Sequence, residues 1–151
     1  MGVRHEADRE TGRAERFTQF ARAVEPRLRI ALAAAMGPDA GADATAEALA
    51  WGWQNWERLD AMENPVGYLY RVGRSSGPRR RSRPVALPPV PTVASSRVEP
   101  GLPAALAKLT ERQRIAVVMI HGYQWTAREV ADLLGVDVPT VSTHLRRGLE
   151  K

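Results

Sequence analysis

The chain is short and basic, and its composition limits what it can be. It has 151 residues, with 22 lysines and arginines against 17 aspartates and glutamates, a net charge of +5 and a pI near 10.4. This balance favours a polyanionic partner. The absence of cysteine excludes disulfides, thiolate zinc sites and a cysteine nucleophile, and it fits a reducing cytoplasm. The longest apolar run, residues 30–36, is far too short to span a bilayer, so we expect a soluble, cytoplasmic protein.

The charge is distributed unevenly along the chain. Residues 1–70 carry 8 basic and 11 acidic side chains, residues 71–100 carry 7 and 1, and residues 101–151 carry 7 and 5. The net charges of these segments are therefore −3, +6 and +2. This pattern predicts a first part that faces protein and two later parts that face DNA.

The first segment is predicted to be helical after a disordered tail. Residues 1–14 contain almost no apolar side chains, and we expect them to be disordered. Phe17 begins a helical apolar stripe that Pro26 is expected to kink or divide. A third helix is predicted over about residues 43–58, and its acidic face carries Trp51, which is either an interface anchor or packs against a neighbouring helix. The residues of this face are Asp43, Glu47, Trp51, Gln54 and Glu57.

A fourth helix begins at Asn64 and Pro65, because asparagine can cap a first turn and proline fits its first position. The predicted outward face carries arginines flanked by Tyr68 and Tyr70. Aromatic rings beside guanidinium groups suit single-stranded nucleic acid, although tyrosines in this pattern are more often core residues. The arginines that follow the helix extend the basic track. This candidate single-strand-binding set is Asn64, Tyr68, Tyr70, Arg71, Arg74, Ser75, Arg79, Arg80 and Arg81.

A proline-rich segment divides the chain into two small helical domains. Residues 79–101 contain no helical apolar stripe, which predicts an extended linker between domains at 15–78 and 102–151. In the second domain, a capping pattern at Thr110 predicts a helix over residues 111–121 that stops at Gly122.

The last 26 residues have the spacing of a helix-turn-helix. Thr126 and Glu129 can form a capping box at the start of the first helix. Gly135 can end that helix where a positive backbone angle is needed. Pro139 suits the start of the second helix, whose inward stripe is predicted to include Leu149, with Val141 and Leu145.

The outward face of that second helix carries hydroxyl and guanidinium groups. Arginine can bind a guanine edge or a phosphate through two hydrogen bonds, and threonine or serine can bind either, so duplex DNA is the predicted ligand. A purely structural helical hairpin is the alternative. The candidate duplex-binding residues, with one arginine from the first helix, are Arg128, Thr140, Ser142, Thr143, Arg146 and Arg147.

In its order of segments the chain resembles a bacterial RNA polymerase sigma factor of the extracytoplasmic-function type, which keeps only sigma domains two and four. The resemblance covers about residues 17–151. It rests on four segments: residues 43–53, residues 64–74, residues 109–114 and the closing helix-turn-helix.

The resemblance implies that these segments bind different partners. Domain two would dock on core RNA polymerase and hold the melted minus-ten strand through the single-strand-binding set. Domain four would read the minus-thirty-five duplex, and an anti-sigma protein is a possible further partner. It also implies no cofactor and no metal. The residues that would contact polymerase are Asp43, Glu47, Trp51 and Gln54.

Two other functions remain open at the level of sequence. A stand-alone helix-turn-helix regulator would bind a palindromic duplex without polymerase. A degenerate sigma-like protein would bind a partner without opening DNA. An enzyme is the least supported class, because the three histidines are scattered and no phosphate loop, zinc spacing or nucleophile motif is present.

Overall fold

The computed structural model describes residues 2–76 and 101–151. Within these ranges the chain consists of α-helices and one π-helical turn and contains no strand, in agreement with the predicted all-α class. We call α1 to α4 the amino-terminal unit and α5 to α8 the carboxy-terminal unit. The elements are α1 (Gly2–Met36), α2 (Pro38–Gln54), α3 (Trp56–Asp60), α4 (Pro65–Ser76), α5 (Leu102–Ala107), α6 (Glu111–Val117), the π-helical turn (Val118–Gly122), α7 (Ala127–Leu134) and α8 (Val138–Leu149).

Helix α1 is longer than the sequence pattern predicted. The expectation of a disordered tail over residues 1–14 is wrong for the described residues, because α1 already begins at Gly2. Arg13 lies over the Trp53 ring at 4.3 Å and donates a hydrogen bond to the Trp53 carbonyl at 2.7 Å. That contact fixes one turn of the helix, and extending an existing helix costs far less than starting one.

Pro26 does not divide α1, contrary to the second expectation for this segment. It lies on the exposed side of the helix, between the buried residues Val24 and Leu28. Proline removes one backbone hydrogen bond, and on this side the carbonyl that loses its partner can bind water. The buried stripe therefore continues past it.

The third predicted helix is observed as two helices. Helix α2 begins at Pro38, earlier than predicted, and α3 follows a break at Asn55. The Asn55 side chain donates to the Trp51 carbonyl at 3.0 Å. An asparagine side chain that binds nearby backbone competes with the helical hydrogen-bond pattern, which accounts for the break.

Helix α4 packs closely against α1 and α2. The core beneath it is aliphatic, and Leu32, Leu59 and Leu69 have no exposed surface. A Cβ atom added at Gly73 would lie 2.8 Å from the Leu32 side chain and 3.2 Å from the Ala44 carbonyl. Gly73 therefore permits this close approach and does not interrupt α4.

The carboxy-terminal unit follows the predicted local signals. Capping boxes are present at Thr110 and at Thr126, and Gly135 has the left-handed angles φ 65° and ψ 38°. The predicted helix over residues 111–121 is observed as α6 followed by the π-helical turn, which ends at Gly122. Leu149 was predicted to face inward, but it is 59% exposed at the end of α8.

The two units pack directly against each other. Helix α1 contacts α6, and α4 contacts α7. Buried side chains of both units belong to one apolar cluster. Over residues 2–76 and 101–151, no helix combines the length and the hydropathy that crossing a membrane would require.

Candidate nucleic-acid interface

Helix α8 is held at its start by local contacts. The Asp137 side chain caps the helix by accepting from the Thr140 backbone N–H at 2.9 Å. The Thr140 side chain, followed by this backbone bond, lowers the pKa of Asp137. Pro139 lies in the first turn. The two sides of the helix differ, because Val141 and Gly148 are buried against the rest of the carboxy-terminal unit. This fixed inner side leaves the opposite face of α8 outward.

The outward face of α8 carries the residues predicted to bind duplex DNA. Ser142, Arg146 and Arg147 are exposed, while Thr140 and Thr143 are half-buried at its borders. The Thr143 hydroxyl donates to the Pro139 carbonyl at 3.0 Å, so its oxygen remains able only to accept. The exposed residues are available to a ligand without any movement of α8.

The ion pairs on this surface are weak enough to exchange for phosphate. Arg146 pairs with Glu150 at 3.2 Å, and Arg128 of α7 pairs with Asp132 at 3.6 Å. All four side chains are at least 60% exposed, and exposed pairs of this kind contribute at most about 1 kcal/mol. Within the described part of the chain, Arg147 has no ion-pair partner. The surface therefore offers three guanidinium groups.

His144 lies at the border of the same helix. Partial burial, followed by the charges of Arg112 and Arg147, lowers its pKa. The imidazole is therefore mostly neutral at pH 7 and adds a hydrogen-bonding group without charge.

The predicted single-strand-binding face of α4 is largely covered in this structure. Tyr70 was predicted to flank an outward face, but only 5% of it is exposed, and burial raises its pKa. Its hydroxyl donates to Oε1 of Glu111 at 3.2 Å. Arg74 donates to both Glu111 carboxylate oxygens, at 2.7 and 2.6 Å. Both residues are thus engaged by the first turn of α6.

The start of α4 also contacts the carboxy-terminal unit. Asn64 accepts from the Gly67 backbone N–H at 2.9 Å, which confirms it as the cap of α4. Its amide nitrogen donates to the backbone carbonyl of Asp132 in α7. Both polar atoms of the Asn64 side chain are thus hydrogen-bonded within the protein.

The remaining members of the single-strand-binding set differ in accessibility. Tyr68 is half-buried and packs on the Trp51 ring at 5.1 Å, with Arg71 5.8 Å from its ring. Arg71 and Ser75 are exposed. Residues 79–81, which hold three predicted arginines, lie outside the described residues.

The acidic face of α2 is open, as its pattern predicted. Asp43, Glu47 and Gln54 are exposed along one side of the helix. Trp51 is half-buried by its contact with Tyr68, which matches the packing interpretation for one side of its ring. The described residues include no cluster of histidine, aspartate and glutamate that could hold a metal ion.

Sequence reasoning missed Glu111 and Arg114, which join the two units. Arg114 is 9% exposed, and its Nε donates to the Ala34 carbonyl of α1 at 2.7 Å. A signal was available, because Arg114 shares a helical face with Val118, one turn later, and Val118 is buried. A charged residue on such an apolar face must find a partner elsewhere in the fold.

The comparisons with known proteins agree with these features. Residues 101–151 match the family described as Sigma-70, region 4. A search of curated proteins found no matching relative. The structure is similar to that of the sigma factor RpoE from Bartonella quintana, which was solved in complex with the anti-sigma factor NepR. The TM-score is 0.63 at 21% sequence identity, and the match covers 90% of this chain and 93% of that chain.

The comparisons support the resemblance found in the sequence for the carboxy-terminal domain and for the fold. The carboxy-terminal unit contains the helix-turn-helix of a region 4 domain, and the described chain has the fold of a sigma factor. The matched region 4 domain is therefore confined to residues 101–151, and the likeness over the rest of the described chain is one of fold.

Proposed function

We propose that this protein is a sigma factor that binds core RNA polymerase and directs it to promoters that carry minus-ten and minus-thirty-five elements. The observation that carries the proposal is the open face of α8 within a region 4 domain. The chain itself makes or breaks no covalent bond in this scheme, and the polymerase performs the chemistry. We place the protein in the cytoplasm, where bacterial polymerase and template meet.

The carboxy-terminal unit reads the minus-thirty-five duplex in this proposal. Arg146 and Arg147 are exposed on α8, and each can bind a guanine edge or a phosphate. Arg128 is exposed on α7 and would bind backbone phosphate next to the reading helix. Positioning contacts and reading contacts thus come from the two helices of one motif.

The amino-terminal unit serves as sigma domain two. Its acidic face on α2 carries Asp43 and Glu47 and suits a basic surface on the polymerase, because complementary charges speed encounter and fix orientation. Arg71 on α4 is exposed and adjoins the Tyr68 ring, a combination that suits a melted strand. This unit would therefore hold polymerase on one side and the opened strand on another.

In vitro transcription with purified core polymerase tests the proposal. The full chain is added to core enzyme and a library of genomic promoters, and transcripts are mapped to their start sites. We expect promoter-specific transcripts only when chain and core enzyme are both present. Absence of specific transcripts, or tight binding to palindromic duplex without core enzyme, would favour a stand-alone regulator.

A charge reversal on α2 tests the polymerase-facing surface. Glu47→Lys should weaken binding to core polymerase, because it places a positive charge in the centre of the acidic face. Asp8→Lys, at an exposed site near the start of α1, makes the same charge change outside that face and is the control. Core binding without promoter opening would instead identify a degenerate sigma-like protein.

An anti-sigma protein is proposed as a further partner. The similar structure is that of RpoE in complex with the anti-sigma factor NepR, which shows that a chain with this fold can be held by such a protein. Co-purification of the chain from its native cells, followed by mass spectrometry, tests this proposal. Recovery of core polymerase alone under all growth conditions would count against it.

A further inference from the structure

A second group of basic side chains lies on one flank of α8, beside its outward face. His144 is half-buried at the border of α8, and Arg147 follows one turn later in the same helix. The charges of Arg112 and Arg147 both act on the imidazole, which places Arg112 of α6 near His144. These three side chains, Arg112, His144 and Arg147, therefore form one cluster at the junction of α6 and α8, which we call the flank cluster.

The packing of α6 on α8 brings the flank cluster together. A Cβ atom added at Gly148 would lie 2.9 Å from the Val117 side chain and 3.5 Å from the backbone carbonyl oxygen of Gln113. Glycine thus permits a close approach of the two helices. Arg112 directly precedes Gln113 in α6, and His144 lies one turn before Gly148 in α8. A fixed contact between two helices therefore holds the arginine beside the imidazole.

No carboxylate balances the charge of the flank cluster within residues 2–76 and 101–151. Neither Arg112 nor Arg147 makes an ion pair there. Burial lowers the pKa of His144, and the charges of Arg112 and then Arg147 lower it further. Helix α7, which also packs against α8, contributes no charged group that acts on this imidazole. Two guanidinium groups and an imidazole held together without an acid suit an anion.

The position of the flank cluster suits the phosphate backbone of a duplex that α8 reads. The major groove is about 12 Å wide, which is about the diameter of a helix with its side chains, so the phosphates run close along both sides of an inserted helix. His144 lies between the outward face of α8 and the side that packs on α6. A residue at that border meets the rim of the groove, where the phosphates lie, and not the base edges on its floor.

We infer that the flank cluster binds a backbone phosphate of the duplex that α8 reads, and that this contact is stronger once His144 carries a proton. The inference rests on the proposed function, because it requires α8 to enter the groove. A phosphate between these side chains relieves their repulsion and favours the charged form of the imidazole. By linkage, protonation of His144 raises the affinity for the phosphate by the same factor. Duplex affinity should therefore rise as the pH falls.

Fluorescence anisotropy with the full chain and a fluorescein-labelled, mixed-sequence duplex of about 20 base pairs, two helical turns, tests the phosphate contact. Phosphate contacts do not depend on base sequence, so neither polymerase nor a known promoter is required. Arg112→Gln should weaken binding about tenfold at about 50 mM salt and reduce the slope of log affinity against log salt by about 0.9, the value for one lost phosphate contact. Arg22→Gln, at an exposed position of α1, is the control and should change neither quantity.

The pH dependence of the same binding tests the role of His144. In the parent chain, duplex affinity should rise at least about threefold from about pH 8 to about pH 6, the range in which histidine titrates. His144→Gln keeps a neutral hydrogen-bonding side chain and should remove this rise. His121→Gln, at an exposed histidine of the π-helical turn, is the control and should retain it. Circular dichroism of each variant shows whether its helices are intact.

Nuclear magnetic resonance of the three histidine rings distinguishes a DNA phosphate from a free one. The signal that is lost in His144→Gln identifies this ring, and its pKa in the parent chain should rise when the duplex is added. Inorganic phosphate at the same ionic strength should leave that pKa almost unchanged, because a free anion lacks the other contacts between α8 and the duplex. An equal rise with inorganic phosphate would overturn the inference, since the cluster would then be a site for a small anion.

The same measurements separate this inference from the proposed function. If Arg112→Gln and His144→Gln bind the duplex with the salt slope and pH dependence of the parent chain, the inference fails and reading by α8 stands. If the parent chain binds no duplex even at low salt, the inference and reading by α8 both fail. If the flank cluster binds phosphate as expected but the chain directs no promoter-specific transcription with core polymerase, only the proposed function fails.

Discussion

The two candidate DNA-binding faces of this protein differ in what covers them. The face of α8 points outward, and its arginines make only exposed ion pairs or none within the described residues. The face of α4 lies against the carboxy-terminal unit, where Tyr70 is buried and Arg74 is bound by Glu111. One face is therefore ready for a ligand, whereas the other must first be uncovered.

This difference shows that residue type alone does not define a binding surface. Both faces combine arginine with groups that can donate or accept hydrogen bonds, and both suit nucleic acid by composition. An arginine that suits a phosphate suits a carboxylate equally well. The competition between an internal carboxylate and an external phosphate therefore sets how available α4 is.

The largest expected effect concerns the core that places α4. Leu32→Ala should lower the free energy of unfolding by about 2–5 kcal/mol, because it leaves a cavity beneath the close approach at Gly73. Urea denaturation measures this change. Leu149→Ala is the matched control on α8 and should change stability by less than about 0.5 kcal/mol, because Leu149 is exposed.

Loss of the buried arginine should have the next largest effect. Arg114→Met should lower the free energy of unfolding by about 1.5–3 kcal/mol, the range for a hydrogen bond to a charged group. Arg112→Met, at an exposed position of the same helix, should be close to neutral. Equal effects of the two substitutions would mean that Arg114 does not stabilise the contact between the units.

The open face of α8 predicts a direct effect on duplex binding. Arg146→Ala or Arg147→Ala should weaken binding to minus-thirty-five duplex by about 1–3 kcal/mol if the side chain contacts a base. Fluorescence anisotropy with promoter duplexes, in the presence of core polymerase, measures the loss. Unchanged affinity and sequence preference in both variants would show that α8 is not the reading helix.

The smallest effect is a pH dependence at the start of α7. The Thr126 backbone hydrogen bond is the main cause that lowers the pKa of Glu129, against a smaller opposing effect of burial. The ionised glutamate therefore stabilises the folded state. This stabilisation is complete above the unfolded-state pKa, which is about 4.3, and it is lost as the pH falls through the lower pKa of the folded state. Urea denaturation across that acid range should show the loss in the parent chain.

The matched variants for this pH effect are two glutamate-to-glutamine changes. In the Glu129→Gln variant, the free energy of unfolding should fall less steeply as the pH is lowered. Glu57→Gln, at an exposed site in α3, should leave this pH dependence unchanged. A pH dependence that is identical in parent and Glu129→Gln would show that the capping box does not depend on this charge.

Local signals made much of the carboxy-terminal unit predictable. The capping boxes at Thr110 and Thr126 and the left-handed Gly135 each depend on atoms within one or two turns. Such contacts are encoded by residues three or four positions apart, so the sequence shows them directly. The outward face of α8 followed from the same helical spacing.

Predictions failed where distant residues decide the outcome. Residues 2–14 extend α1 from the turn that Arg13 holds against Trp53, and Pro26 lies within α1 because the helix around it packs against α2 and α4. Tyr70 is buried because α6 covers it, and no pattern within α4 indicates that neighbour. Leu149 is exposed because α8 ends where nothing packs against it within the described chain.

The sequence by itself determined the all-α class, the helix starts and stops of the carboxy-terminal unit and the presence of a helix-turn-helix, since these depend on short-range spacing and composition. Only the tertiary structure decided which of the two candidate DNA-binding faces is free. The contacts that cover α4 join residues 41 and 37 positions apart, and the contact of Arg114 with α1 joins residues 80 positions apart. An arginine is equally basic in both places, but its partner is chosen by the fold that brings a carboxylate or a carbonyl within hydrogen-bonding distance.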